Sequence, residues 1–359
     1  MIQYRYDPDS LKLFSIHCLQ KQGMRFEDAE IVSDCLVQTD KWGIHSHGLK
    51  NLYSYILKNA NGGVSFSANP IVVKELPSMA IIDGNNAMGF VSSTFAMRMA
   101  CRMAENNGVG MTVVKNSCHF GAAGYYAHIA AVKNMIGGAF SNVDAFMTIP
   151  GALRAVMGQN PLSLAAPSSV VPSLILDIAT SNVASLKVIN ARNEGKTIPD
   201  TWIIDKNGYP TNDPSKYPEE GALQPMAAHK GYGIALFIEI ITSVISGGIL
   251  SMSASIPSWN LKLSEPNGVS HSFIAVNPDR MMGEGYLKNR VDEVIRLIHE
   301  APRVEGVEEL TVPGERMWAK SRSADINGLL LPDYVLKELR SLSEYSKVLL
   351  PDPIHQEGT

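Results

Sequence analysis

The chain has 359 residues, 45% of them hydrophobic and 18% charged, with a formal net charge of -4. That length suits two interleaved domains with a sizeable core, and the composition excludes a disordered chain. The acidic balance and the lack of any Lys/Arg block exclude a nucleic-acid surface, which would carry a basic patch or stripe.

Residues 1–10 contain neither the apolar core of a secretory leader nor the Arg-rich pattern of a transit peptide, so none is expected. Cys18, Cys35, Cys101 and Cys118 are widely spaced without a Cys-x-x-Cys pair, which predicts reduced thiols and a cytoplasmic protein. Between residues 10 and 40, Leu11, Phe14, Cys18 and Leu19, then Ala29, Val32, Cys35 and Leu36, recur at helical spacing. Two antiparallel helices broken at Gly23 fit that pattern, and residues 49–60 predict a third that stops at Gly62-Gly63. Residues 71–76 and 79–83 predict short strands joined at Pro77-Ser78, followed by a small-residue helix over 92–107.

The middle of the chain alternates, with strands predicted at 110–115, 136–141 and 174–178 and a helix at 124–133. Such alternation implies an α/β layer architecture. Residues 187–213 are rich in turn residues and predict an extended surface connection. Residues 233–246 form the longest apolar run, but Glu239 lies in its middle and Gly-Gly ends it. A buried helix is expected there, and no membrane span, which needs about 20 apolar residues. Residues 290–300 and 332–345 are helical by spacing. The chain is therefore expected to build a mainly helical domain from 1–75 and 290–359, with an α/β cofactor-binding domain over 76–289.

Three short segments combine histidine with glycine: Asp40-Lys-Trp-Gly-Ile-His-Ser-His-Gly48, Ser117-Cys-His-Phe-Gly-Ala-Ala-Gly-Tyr-Tyr126 and His229-Lys-Gly-Tyr-Gly233. Glycine lets backbone approach a ligand closely, and a helix start offers free N–H groups to anions. Imidazole titrates near neutral pH and can exchange a proton with a carbinol or carbonyl oxygen. His47, beside Gly48, is the candidate acid/base, whereas His45 fits a cap or a packed core position equally well. Ser46 lacks the Gly-x-Ser-x-Gly elbow of a hydrolase nucleophile and is read as a hydrogen-bond partner orienting the ring. No third ligand accompanies His45 and His47 at metal spacing, so no metal site is expected. Asp177 fits either a ribose-binding carboxylate at a strand end or a helix N-cap. Lys230 fits a phosphate contact or a solvated lysine. Gly108-Val-Gly110 and Gly231-Tyr-Gly233 both lack the third glycine of a Rossmann fingerprint, and there is no P-loop.

Taken in order, Ser46-His-Gly48, His119-Phe-Gly-Ala-Ala-Gly124, Gly158-Gln-Asn-Pro161, Asp177-Ile-Ala-Thr-Ser181, Ile198-Pro-Asp-Thr-Trp202, Lys230-Gly-Tyr-Gly233 and Pro313-Gly-Glu-Arg316 resemble the non-Rossmann malate/L-lactate dehydrogenase family. That family includes ureidoglycolate and sulfolactate dehydrogenases and diketogulonate reductase. The resemblance runs over about residues 10–340 and implies an α/β enzyme with an unusual cofactor domain. It would use NAD or NADP on a small 2-hydroxy or 2-oxo acid and work as a homodimer. It further implies His47 as general acid/base beside Ser46, and His119 close to the substrate oxygen. His119, Phe120, Gly121, Ala122 and Ala123 would line the cofactor, facing a second wall of Asp177, Ile178 and Ala179. Lys230 would be a phosphate or nicotinamide-side contact, and Gly314, Glu315 and Arg316 the last contact loop.

Relatives usually place a carboxylate-gripping arginine four residues after the catalytic histidine. Asn51 stands there in this chain, beside Lys50, so these two are the candidate substrate contacts. The run Ala184-Ser-Leu-Lys187 also replaces an Arg-Gly-Lys-like stretch. Two alternatives follow: a ureidoglycolate dehydrogenase, to which residues 197–202 and 205–208 are similar, and a cofactor-binding homologue without activity.

Overall fold

The computed structural model of the protein describes residues 3–253 and 255–357. Met1 and Ile2, where the expectation of no leader begins, lie outside the described residues. The chain opens with β1 (Gln3–Tyr6), α1 (Pro8–Lys21), α2 (Phe26–Lys41), α3 (Leu52–Ala60), β2 (Ile71–Leu76), β3 (Met79–Asp83), α4 (Gly89–Asn107) and β4 (Val109–Ser117). It continues through α5 (Ala123–Val132), β5 (Ile136–Ser141), β6 (Leu162–Ala166), β7 (Leu174–Ile178), α6 (Ser185–Asn193), β8 (Ile203–Ile204), β9 (Pro210–Thr211), β10 (Ala222–Leu223) and α7 (His229–Glu239). The last elements are β11 (Val269–Val276), α8 (Asp279–Met282), α9 (Tyr286–His299), α10 (Glu315–Asn327), β12 (Leu329–Leu331), α11 (Asp333–Ser346) and β13 (His355–Glu357).

α1 starts where Asp7 accepts the Ser10 N–H at 2.8 Å and Pro8 takes a first-turn position that needs no donor. Gly23, at a φ of +87°, lets the chain turn into α2. The apolar positions of α1 and α2 named above are all buried, together with Leu52, Tyr55 and Ile56 of α3 and Val335, Leu336, Leu339 and Leu342 of α11. The two ends of the chain therefore share one core, and β1 completes the junction by pairing antiparallel with β12 and β13.

The central sheet has seven strands in the order β2-β3-β4-β11-β5-β6-β7. Only β3 and β4 run parallel; every other pair is antiparallel. α4 and α5 pack on it through alanine-rich faces. Gly110 and Gly137 let them lie close, since a Cβ there would overlap the carbonyls of Ala100 and Ala127. A smaller sheet, β10-β8-β9, covers a third core with Met147, Met157, Val188 and Tyr217.

Two expectations need correction, and one strand was not anticipated. Residues 187–213 are not an extended connection: α6 and two strands of the small sheet fill them, because Val188, Ile198 and Ile203 have a core of their own to enter. The apolar run over 233–246 belongs to a helix that starts at His229 and continues as a π-helical turn at Ile240–Val244. That helix is only half buried, with Ile234, Phe237, Ile240 and Val244 exposed on one side. β11, at the middle of the sheet, went unread because its Ser and His residues mask the strand pattern. No helix among the described residues is long and apolar enough to cross a membrane.

Candidate active site

α2 ends at Lys41, and the chain then folds back over its own last turn. The buried Asp40 carboxylate organises that fold: it accepts from His45 Nδ1 at 2.6 Å and from the Leu49 N–H at 2.7 Å. Burial pushes the Asp40 carboxyl up, while the bond to His45 works the other way. His45 thus serves the turn, and the next histidine is left to face inward. His47 Nδ1 meets the Ser46 hydroxyl at 2.8 Å. Burial, then the neighbouring Lys50 ammonium, pushes the His47 pKa down to about 4, so the ring is neutral at physiological pH. Asn51 is 5% exposed and its amide donates to the Ser46 carbonyl at 2.9 Å.

His119 lies between β4 and α5, stacked beside His47 with ring centroids 5.7 Å apart. Its Nδ1 meets the Tyr55 hydroxyl at 2.6 Å, and the indole of Trp259 covers it at 4.5 Å and an interplanar angle of 13°. Burial holds its pKa well below the usual imidazole value, and His47 and His271 add to that. Among the described residues neither His47 Nε2 nor His119 Nε2 has a hydrogen-bond partner. With each Nδ1 occupied by a hydroxyl, the two Nε2 atoms are the ones left for a substrate.

Beneath His119 the wholly buried His271 grips both of its neighbours. Its Nε2 is 3.2 Å from the Cys118 carbonyl and 3.0 Å from the Ser117 hydroxyl, its Nδ1 is 2.9 Å from the Ser141 hydroxyl, and its ring stacks on Phe120 at 4.5 Å.

The segment after His119 turns into α5, where the Gly124 N–H donates to Asp177 Oδ2 at 2.7 Å. A Cβ on Gly124 would press on that carboxylate, so glycine is what lets β7 and the start of α5 meet. Burial raises Asp177 to about 6, and one of its oxygens remains without a partner among the described residues. The stretch that follows Asp177 lies against the loop before α7, with the Met226 N–H on the Thr180 carbonyl at 2.8 Å. Ala227 and Ala228 take left-handed φ values of 46° and 50° there, which places His229 and Lys230 exposed at the start of the helix. Gly314, at φ +97°, packs against the backbone of Ile175, and the Ile175 N–H donates to the Pro313 carbonyl at 3.2 Å. Glu315 is already engaged by His299 at 2.8 Å and by the Val312 N–H at 2.9 Å, while Arg316 borders a cavity of about 560 Å³ shared with Arg303 and Arg322.

The structure therefore brings Ser46, His47 and His119 together and sets Asp177 directly behind the loop that follows His119. It places Lys230 beside the 177–181 segment and the loop at residues 314–316 at the opposite end of β7. Sequence reasoning missed Tyr55, Trp259 and His271, which lie 8, 212 and 224 residues after His47. Only Tyr55 left a trace, as a polar aromatic on the apolar side of α3.

A mostly antiparallel sheet with two uncharged imidazoles at the edge of a glycine-lined segment is not a Rossmann arrangement. A sequence model described as malate/L-lactate dehydrogenase matches residues 6–340, and the chain belongs to that family. It is 32% identical over 347 residues to a malate dehydrogenase of Pyrococcus horikoshii, covering 95% of each chain. It is 30% identical to the Escherichia coli ureidoglycolate dehydrogenase (NAD(+)), over 91% of this chain and 93% of the other. The solved sulfolactate dehydrogenase of Methanocaldococcus jannaschii superimposes with a TM-score of 0.89 at 32% identity, covering 99% of this chain and 100% of that one.

Proposed function

We propose that the protein is an NAD- or NADP-dependent dehydrogenase that interconverts a small 2-hydroxy acid and its 2-oxo acid. The observation that carries this reading is the pair of neutral imidazoles, His47 and His119, stacked 5.7 Å apart with both Nε2 atoms unpartnered among the described residues. A nicotinamide dinucleotide fits the residues beside them: the Gly124 N–H holds one Asp177 carboxylate oxygen, and the other is left for a ribose hydroxyl. Phe120, Gly121, Ala122 and Ala123 would line it with Ile178 and Ala179 opposite, Lys230 would meet a phosphate, and the loop at Gly314, Glu315 and Arg316 would close the far end. When bound, that cofactor supplies the hydride chemistry.

His47 handles the proton. As a neutral ring it accepts the hydroxyl proton of the hydroxy acid at Nε2, and in the reverse direction its imidazolium, with a pKa of about 4, is a strong acid toward the oxo oxygen. Ser46 holds Nδ1 and so fixes the ring's rotation. His119, clamped by Tyr55 and Trp259, points its Nε2 at the same oxygen and orients it. Lys50, the cation whose charge acts on His47, is the carboxylate anchor in place of the usual arginine, while Asn51 is spent on the Ser46 carbonyl.

The exposed stripe Ile234, Phe237, Ile240 and Val244, on α7 and the π-helical turn after it, supports a homodimer, since a second copy of the same stripe would bury it. Four buried free cysteines fit a cytoplasmic setting. The test is absorbance-monitored oxidation of NADH and NADPH over a panel of 2-oxo acids. Cofactor binding without turnover of any acid would leave a non-catalytic homologue instead.

A further inference from the structure

Lys58 is a lysine that the chemistry above does not use. It lies on α3, its side chain is wholly buried, and among the described residues it forms no ion pair, although the Glu265 charge reaches it. Its Nζ donates to two backbone carbonyls, Lys262 at 2.9 Å and Glu265 at 2.7 Å. Burying an ammonium is costly unless it is paired and hydrogen-bonded, so the two carbonyls are what hold it here. The same bonds tie down residues 255–268, which contain turns but no helix or strand. A second restraint acts beside the first. A Cβ on Gly63 would overlap the Leu263 carbonyl, so the segment is seated directly on the backbone that follows α3. A third closes the segment on itself, where the Asn267 side chain donates to the Pro257 carbonyl at 2.7 Å.

What this tethered segment delivers is Trp259. Its indole stacks on Tyr55 at 4.8 Å and on His119 at 4.5 Å, with interplanar angles of 24° and 13°. No substrate group can slip between rings at that separation, so the indole is a fixed boundary beside the nitrogen that meets the substrate oxygen. Lys58 fixes its position from outside the segment, through backbone carbonyls, beside the segment's own closing bond from Asn267.

We propose that Trp259, held by Lys58, is the specificity-determining wall of this site and confines it to 2-oxo and 2-hydroxy acids with small side chains. The proposal rests on the dehydrogenase reading given above and adds to it the size of the substrate's side chain. A shape-filling wall discriminates by about 10–200-fold per methylene-sized group. Trimming the indole therefore opens room without removing any hydrogen bond to the reacting oxygen. Lys58 acts one step back, as a positioning residue for the wall.

The test is the ratio of kcat/KM for phenylpyruvate and 4-methyl-2-oxopentanoate to that for pyruvate, measured with the full-length protein and either nicotinamide cofactor. Trp259→Ala raises both ratios, by roughly tenfold or more. Trp259→Leu, which keeps an apolar contact for folding, raises them less. Lys58→Met keeps the stem and removes the ammonium, so it shifts the ratios in the same direction while leaving the KM for the cofactor unchanged. That split separates positioning of the wall from a general loss of structure. Turnover with ratios that fail to rise in Trp259→Ala and Trp259→Leu overturns the wall alone. Absence of turnover of every acid by wild type and variants alike overturns the dehydrogenase reading and the wall with it.

Discussion

The Asp40 carboxylate occupies the space into which a side chain at Gly48 would project. Gly48 has an ordinary φ of -90°, so crowding, and not backbone conformation, calls for glycine. Gly48→Ala must push the carboxylate off His45 and the Leu49 N–H, a core overpacking that costs about 1–3 kcal/mol. Thermal denaturation should show the loss, and turnover should fall further than stability does, because His47 rides on the same turn. Unchanged turnover would detach Asp40 from the site.

Replacing either imidazole separates their roles. His47→Ala is expected to lower kcat by ~10²–10⁴-fold with cofactor affinity nearly intact, the usual worth of a placed acid/base. His119→Ala should also raise KM, since it orients the substrate oxygen. Steady-state kinetics with cofactor titrated by fluorescence decide this, and wild-type-like kcat in His47→Ala removes that residue from the mechanism.

Lys50 and Asn51 are expected to respond differently. Lys50→Met removes the charge assigned to the substrate carboxylate, a loss of about 1.5–3 kcal/mol that appears as one to two powers of ten in KM. Asn51→Arg, in contrast, should not rescue simple 2-oxo acids, because the position is buried and its amide holds the Ser46 carbonyl. Stability and kcat should both drop. An improved kcat/KM for pyruvate or oxaloacetate in Asn51→Arg would return this position to the substrate contacts.

Acid should destabilise the fold through His271, whose burial lowers its pKa to about 3. Below the unfolded value of about 6.5 the unfolded chain binds a proton that the folded chain refuses, so stability falls as pH drops through that window. His271→Phe keeps a ring against Phe120 but leaves the surrounding hydroxyls and the Cys118 carbonyl without this partner. It is less stable at pH 7.5, yet the gap to wild type should narrow by about 2 kcal/mol on going to pH 5. Urea midpoints at the two pH values measure it; a constant gap means that His271 does not contribute to the acid limb.

Phe237 is 67% exposed at the centre of the α7 stripe. Phe237→Glu should convert a dimer to a monomer at micromolar concentration, as read by sedimentation velocity. A wild-type monomer of full activity would refute the dimer.

The sequence by itself carried the helical ends, the strands on either side of Pro77-Ser78 and the His-Gly segments, because helical periodicity and glycine placement are local properties. Its ordered motifs were enough to place the chain in its family. It could not show that β11 lies between β4 and β5, since a central strand carrying Ser270, His271 and Ser272 has no apolar alternation and depends on partners distant in sequence. Nor could it show a core for residues 187–213, whose short apolar pieces acquire meaning only against Met147 and Leu223. At the site the sequence offered Ser46, His47, His119 and Asp177 as chemistry. Only tertiary structure decided that His45 belongs to Asp40, that Asn51 is turned toward the Ser46 carbonyl, and that Tyr55 and Trp259 enclose His119. Those outcomes depend on burial and on which group reaches a shared hydrogen bond, and both are properties of packed surfaces rather than of neighbouring residues.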